Sequence, residues 1–406
     1  MPEKLLLAKK YAGTKQNFKT QLFLKIAVNT RFLIPDRLTD VGKFTHEVLR
    51  RLAVKYPEHE FYFLFDRAFD PQYIYSVNVK PVVVYPSVRH PVLYYWWYQV
   101  SLARALQKIK PDVFLSTDGM TTLNARVPRV TVMSDLVVEH FPQEVDYLSR
   151  KYLKNYNPRF AQISAKIITF SAFTRQEISR LYKINSGKIE VVAPAAGEEF
   201  RKIDFGRQVA VRQKYTNGEA YFISVGALQP RQNIANLFRA FDLFKEKTGS
   251  EVKLLIAGNN KLKSRGIKQV YKQMRFKSEV VFTDRVKDAE LIELYGAAVA
   301  AVYVPLRADA GISVIEAQKC GCPVVAAATG ALPEVAGAGA LLVNPVAIEE
   351  ISEALIQVYH DLEVRSRLVQ AGFRNTEKFS WDKSAEKVMR LLEETVKTQA
   401  TSRAHL

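Results

Sequence analysis

At 406 residues the chain is too long for one hydrophobic core and suits two domains of ordinary size. With 48% apolar and 25% charged residues it is globular rather than disordered, and no apolar stretch approaches the roughly 18 residues that a membrane-crossing helix needs. The formal net charge of +18 is lopsided: residues 1–215 hold 34 Lys and Arg against 19 Asp and Glu, a net of +15, which leaves +3 for the remainder. A basic half of this kind attracts an anionic membrane, an acidic substrate or nucleic acid, or is a solvated surface without a partner. No nucleic-acid-reading motif accompanies the charge, so nucleic acid is not an expected partner.

Residues 1–20 read as a basic tail outside the fold. Leu5–Ala8 is too short for the apolar stretch of a secretory signal, and Lys9 and Lys10 follow it directly. Apolar runs of strand length then follow at Phe23–Val28, Phe61–Phe65, Val82–Tyr85, Val113–Leu115, Val130–Met133, Ile167–Phe170 and Ile189–Val192. Helical patterns lie between them at Gly42–Lys55, Trp96–Ile109 and Phe173–Tyr182. Within the second of these, Tyr94-Tyr95-Trp96-Trp97-Tyr98 precedes Arg104, Lys108 and Lys110. Aromatics beside basic residues suit a bilayer interface, whereas the helical spacing of Trp96, Val100 and Ala103 suits a core.

A polar stretch at Glu198–Gly218 is the expected joint, and the pattern then repeats. Strand-like runs occur at Tyr221–Val225, Lys253–Ala257, Val280–Phe282, Ala300–Val304, Val324–Ala327 and Leu341–Val343, with helical stretches at Asn233–Lys247, Asp288–Ala297 and Ile312–Lys319. Cys320 and Cys322 read as small apolar residues of a packed turn, since a C-x-C disulfide is strained and two thiols alone do not make a zinc site. So few cysteines suit a reducing cytoplasm. Residues 348–398 read as helices. The chain is therefore divided into a tail (1–20), a domain at 21–205, a domain at 216–380 and a C-terminal helix and tail at 381–406. Strand–helix alternation throughout predicts two doubly wound α/β domains, whose ligands sit at the carboxyl ends of the strands and in the cleft between them.

The loops after strands carry a resemblance. Ser224-Val225-Gly226-Ala227-Leu228-Gln229-Pro230-Arg231-Gln232-Asn233, Leu254–Gly258, Val281–Asp284, Glu293-Leu294-Tyr295, Gly311-Ile312-Ser313-Val314-Ile315-Glu316-Ala317, Cys320–Val325, Pro333–Gly337 and Asn344-Pro345 stand in the order and spacing of the retaining glycosyltransferases of family 4. The first half is similar more loosely, at Asp40-Val41-Gly42-Lys43-Phe44, Ser134-Asp135-Leu136, Ser171-Ala172-Phe173-Thr174 and Pro194–Phe200. The resemblance implies a GT-B fold, two Rossmann-like domains facing across a cleft, and transfer of a hexosyl group from a nucleotide-diphosphate sugar to a glycan or lipid-linked acceptor with retention. It also implies that the donor diphosphate accepts the acceptor's proton and that neither a cofactor nor a metal takes part. No G-x-G-x-x-G follows a strand, and no His or carboxylate cluster at metal spacing appears.

The chemistry gives these residues tasks. A departing diphosphate gains charge that fixed donors must stabilise. Gly311, Ile312 and Ser313 open a helix directly after a strand, where free amides and the helix dipole favour phosphate. Glu316, one turn further on, is the residue that the resemblance assigns to the ribose hydroxyls; its alternative is a partner for the helix dipole. Arg231 can present a guanidinium fork to phosphate, and Thr329 a hydroxyl to diphosphate or sugar; a surface arginine and a plain turn are the alternatives. Gly226 permits close backbone approach on the donor side, and Gly42 and Asp135 are the candidates on the acceptor side.

The sequence departs from the family at Ala227, at Gln232 in place of lysine, at Ala308 in place of the first of two glutamates, and at Ser134 in place of histidine. Losing a buried cationic phosphate contact costs about 2–5 kcal/mol. Asp309 can replace the missing carboxylate, and Arg231 or Arg307 the missing lysine, if the loops allow it. Two functions therefore remain open: an active transferase with a modified donor site, acting in the cytoplasm and peripherally on an anionic membrane, or an inactive relative that binds nucleotide and serves as scaffold or regulator.

Overall fold

The structure, a computed structural model, describes residues 23–35, 38–88, 90–258 and 264–404; the basic tail read at 1–20 lies outside them. Strands β1 (Lys25–Asn29), β2 (Glu60–Phe65), β3 (Val79–Val83), β4 (Val113–Ser116), β5 (Arg129–Val132), β6 (Lys166–Thr169) and β7 (Ile189–Val191) form one parallel sheet in the order 3-2-1-4-5-6-7. Strands β8 (Tyr221–Val225), β9 (Lys253–Ala257), β10 (Val280–Thr283), β11 (Ala300–Tyr303), β12 (Val324–Ala327) and β13 (Ala340–Val343) form a second, in the order 10-9-8-11-12-13. Each predicted strand-like run corresponds to one of these strands. In each sheet the order reverses at its first strand, between β1 and β4 and between β8 and β11. Crevices open at the carboxyl ends of strands where the order reverses.

Alternation along β1 builds the first domain's two faces. Ile26 and Val28 turn to one side, where they meet Phe44, Val48 and Leu52 of helix α1 (Asp40–Lys55). Ala27 turns to the other, toward Trp97, Tyr98 and Leu102 of helix α2 (92–109) and Phe160 of α4 (Tyr147–Ile163); α5 (Ala172–Tyr182) completes that side, and the short helix α3 (Val137–His140) follows β5. Helix α1 starts where the Thr39 hydroxyl accepts the Gly42 amide, with Asp40 in the first turn and Lys55 in the last, each matching the helix dipole.

The polar stretch at 198–218 is not only a joint. It carries α6 (Phe205–Thr216), which caps on Asp204 and packs against the second domain. Arg207 pairs with Glu293 there, and Lys214 with Glu290. Helices α7 (Ile234–Thr248), α8 (Arg265–Gln273), α9 (Asp288–Ala297), α10 (Ile312–Lys319), α11 (Leu332–Ala336), α12 (Ile348–His360) and α13 (Leu362–Thr376) surround the second sheet. Cys320 and Cys322 are buried free thiols in this core, and burial pushes Cys320 up to about 12. The chain then returns to the first domain through α14 (Trp381–Ala404). Trp381 is 3% exposed, 6.1 Å from the Phe44 ring, and Ser384 and Lys387 donate to the carbonyls of Ala193 and Val191. Trp381→Ala removes the plug between α14 and α1 and is expected to cost about 3–5 kcal/mol of first-domain stability, measured by denaturant titration.

The aromatic run in α2 divides differently from the spacing of Trp96, Val100 and Ala103. Trp97 and Tyr98 are fully buried, whereas Trp96 is 56% and Tyr95 48% exposed. Ala103 is buried as its spacing predicts, and a π-helical turn at Trp97–Ser101 brings Trp97, Tyr98 and Gln99 inward together. Among the described residues no helix is long and apolar enough to cross a membrane.

Candidate functional site

The sequence-selected residues lie on loops that follow strands near the two order reversals. Gly42 opens α1 after β1, and Asp135 follows β5. Gly226 and Arg231 follow β8, Gly311 to Glu316 lead from β11 into α10, and Thr329 follows β12. The two sets face each other across the interdomain cleft and touch through side chains.

Lys43 Nζ reaches from α1 to Glu316 Oε1 at 3.0 Å and Asp288 Oδ1 at 3.1 Å. Arg231 Nε lies 3.1 Å from Glu144 Oε2, and the Arg231 amide donates to Glu144 Oε1 at 2.7 Å. The loop 307–309 is held from the first domain: Ser171 and Thr174 hydroxyls donate to the Asp309 carbonyl at 2.8 and 3.0 Å, and Arg307 pairs with Glu177 at 3.2 Å. Ser171 also caps α5 by accepting the Thr174 amide, so the serine-led turn seen in the sequence is both a helix start and an interdomain clasp.

In the second domain, Gly226 is exposed at the end of β8 and has open space where a side chain would stand. The first amides of α10 have no partner within the helix. Ile312 is buried, and Ser313 lies beside the buried Tyr295. Thr329 donates its hydroxyl to the Pro305 carbonyl at 3.3 Å and thereby ties the loop after β12 to the loop after β11. Glu316 is 4% exposed, and burial raises its carboxyl above the ordinary range against the pull of Lys43. Burial opposes the charge of Lys43 as well, yet Glu316 and Asp288 raise its ammonium above the ordinary lysine value.

In the first domain, a Cβ at position 42 would stand 2.9 Å from the Phe32 carbonyl oxygen, so glycine allows the loop after β1 to lie on the start of α1. Asp135 is exposed, and its Oδ1 accepts the Val137 amide at 3.2 Å. Burial and then the charge of Asp135 raise the Asp309 carboxyl. Asp309 is turned to Arg307 and to the Leu136 amide. The two arginines considered as replacements for a lysine at position 232 are both engaged by carboxylates. Lys43, Asp288 and Glu144 were not singled out from the sequence. Lys43 directly follows Gly42 and was the one of them with a visible signal; the others gain meaning only from the fold.

Two family models match the chain: glycosyl transferases group 1 over residues 209–375, and glycosyltransferase family 4 over residues 41–196. The chain belongs to the group 1, family 4 glycosyltransferases. It is 29% identical over 221 residues to O-antigen chain mannosyltransferase B of Escherichia coli, a match covering 54% of this chain and 58% of that one. It is 25% identical over 261 residues to the serotype-specific mannosyltransferase WbdA of E. coli, covering 62% of this chain and 32% of that one. The chain thus spans less than two thirds of either relative. Its family 4 fold is GT-B. Sucrose-phosphate synthase of Thermosynechococcus elongatus superposes with a TM-score of 0.73 at 16% identity, covering 91% of this chain and 98% of that one. HepE of Anabaena, solved with UDP and glucose, superposes with a TM-score of 0.71 at 15% identity, covering 91% and 99%.

Proposed function

We propose that the protein transfers a hexosyl group, with retention, from a nucleotide-diphosphate sugar to a glycan or lipid-linked acceptor in the synthesis of a cell-envelope polysaccharide or glycoconjugate. The observation that carries this is the buried Glu316 carboxylate, one turn beyond the open amides of α10 and facing the first domain across the cleft. A ribose donating to Glu316 sets its diphosphate over the α10 amides, where charge developing on the leaving group is stabilised. The bond from the anomeric carbon to the diphosphate breaks, the bond to the acceptor oxygen forms on the same face, and a diphosphate oxygen takes the acceptor's proton. Arg231 and Asp135 border the reacting centre from opposite domains, and no bound metal is required. The names of the E. coli relatives support a mannosyl donor and an O-antigen-like glycan. Transfer assays with UDP- and GDP-hexoses, with the product's anomeric configuration read by NMR and the reaction repeated in chelator, test this; an inverted product removes retention.

The departures at Gln232 and Ala308 favour a second function, a nucleotide-binding protein without transfer. It is distinguished by a nucleotide that binds while no donor is consumed with any acceptor.

The first domain supports peripheral attachment to an anionic membrane, on the cytoplasmic face. Val92, Tyr95 and Trp96 at the start of α2 and Tyr147 and Leu148 at the start of α4 are exposed, and the Tyr94–Tyr152 ring contact at 5.5 Å holds the two helices together. Arg150, Lys151 and Lys154 follow on α4, so apolar and basic groups adjoin as at a bilayer surface. Co-sedimentation with phosphatidylglycerol-containing liposomes is expected to be salt-sensitive and weakened by Trp96→Ala; no binding to anionic vesicles at low salt would remove the membrane from the proposal.

A further inference from the structure

Position 232, where the family resemblance leads one to expect a lysine near the diphosphate, holds Gln232, an uncharged side chain beside Tyr303. The cations of the surrounding second-domain loops are taken. Arg231 is held by Glu144 and Gln229, and Arg307 by Glu177 and Asp309 with its guanidinium 4.5 Å from the Phe173 ring centre. None of those partners belongs to the proposed donor site, so an arriving donor frees neither arginine.

Lys43 differs in one of its two partners: Asp288, 3.1 Å away with a side chain 45% exposed, lies outside the donor site, but the other partner belongs to it. Its ammonium sits 3.0 Å from Glu316, the carboxylate that the ribose would claim. A carboxylate this deeply buried needs a compensating charge or donors. Lys43 supplies the charge; ribose hydroxyls would supply the donors in its place. The first amides of α10 lie about one helical turn, roughly 5–6 Å, from Glu316, within the swing of a lysine side chain. Lys43 retains 25% side-chain exposure, so it has room to move toward the cleft.

We propose that Lys43 is a phosphate ligand of the donor: it neutralises Glu316 before the donor binds, yields that carboxylate to the ribose, and turns to the diphosphate. The first domain thereby provides the cation that Gln232 does not. Diphosphate binding then requires both domains, and a nucleoside without phosphates gains nothing from Lys43, because it competes with Lys43 for Glu316.

This rests on the nucleotide-sugar site proposed above, and calorimetric titration separates the two. Wild type, Lys43→Met and Lys43→Arg are titrated with UDP, GDP and, by displacement, uridine and guanosine, with thermal midpoints confirming folding. For whichever nucleotide binds wild type, Lys43→Met is expected to weaken the diphosphate by roughly tenfold to a hundredfold. It should leave the nucleoside unchanged or tighter, and Lys43→Arg should restore most of the diphosphate affinity. Equal weakening of diphosphate and nucleoside would make Lys43 a structural clasp and overturn the proposal, as would no change in either. Absence of binding of both diphosphates to wild type would instead overturn the nucleotide site itself, and this proposal with it.

Discussion

Glu316→Ala is expected to lower nucleoside-diphosphate affinity by at least about a hundredfold, because it removes the acceptor for the two hydrogen bonds that the proposed ribose would donate, each worth roughly 1.5–3 kcal/mol. The carboxylate is 4% exposed and stands at the cleft side of α10. Its loss has a second consequence: Lys43 keeps Asp288, itself partly exposed, as its remaining partner. Glu316→Gln separates the two effects. It keeps an acceptor for the ribose and removes the charge that holds Lys43, so its affinity should fall between wild type and Glu316→Ala. Calorimetry on both variants, with thermal midpoints as control, checks the ranking; a Glu316→Ala protein that binds as wild type would remove Glu316 from the donor site.

Gly330→Ala is expected to have the largest effect on the loops after β11 and β12. Position 330 has φ +63°, and a Cβ there would stand 2.1 Å from the Ala308 carbonyl oxygen and 2.8 Å from the Ala308 nitrogen. Both atoms are backbone, so no side chain can rotate away. The left-handed conformation costs roughly 1–2 kcal/mol and the overpacking about 1–3 more, a combined loss of about 2–5 kcal/mol. The displaced segment carries Asp309, whose carbonyl is held by Ser171 and Thr174. The clasp between the domains should therefore loosen along with the loop. Denaturant titration reads the stability loss, and proteolysis within 305–311 reads the loosening; a wild-type midpoint would contradict the packing described here.

The strands were legible because both sheets are parallel and covered on both faces, so each strand is a short, continuous apolar run such as Val324–Ala327. Helices with a strong apolar stripe, such as α7, were legible too. Helix α4 was not: it carries Pro158 and few buried side chains, so its sequence reads as polar. Helix α6 was hidden in the same way within the expected joint. The glycines and Glu316 were legible through strand-following motifs. What each charged side chain does in the cleft was not, because the partners are remote in sequence: Lys43 and Glu316 are 273 residues apart, and Arg231 and Glu144 are 87. Local patterns cannot show that Arg231 is held by a carboxylate of the other domain, nor that the lysine after Gly42 lies against Glu316.

Titration of the 406-residue wild-type chain with UDP, GDP and their hexose conjugates by calorimetry tests most directly that this cleft is a nucleotide-sugar site. One nucleotide and its sugar conjugate are expected to bind at one site per chain with a dissociation constant on the order of micromolar, and Glu316→Ala should abolish the heat. No saturable heat with any of them up to roughly millimolar concentrations would contradict a donor site at Gly226, the α10 amides and Glu316.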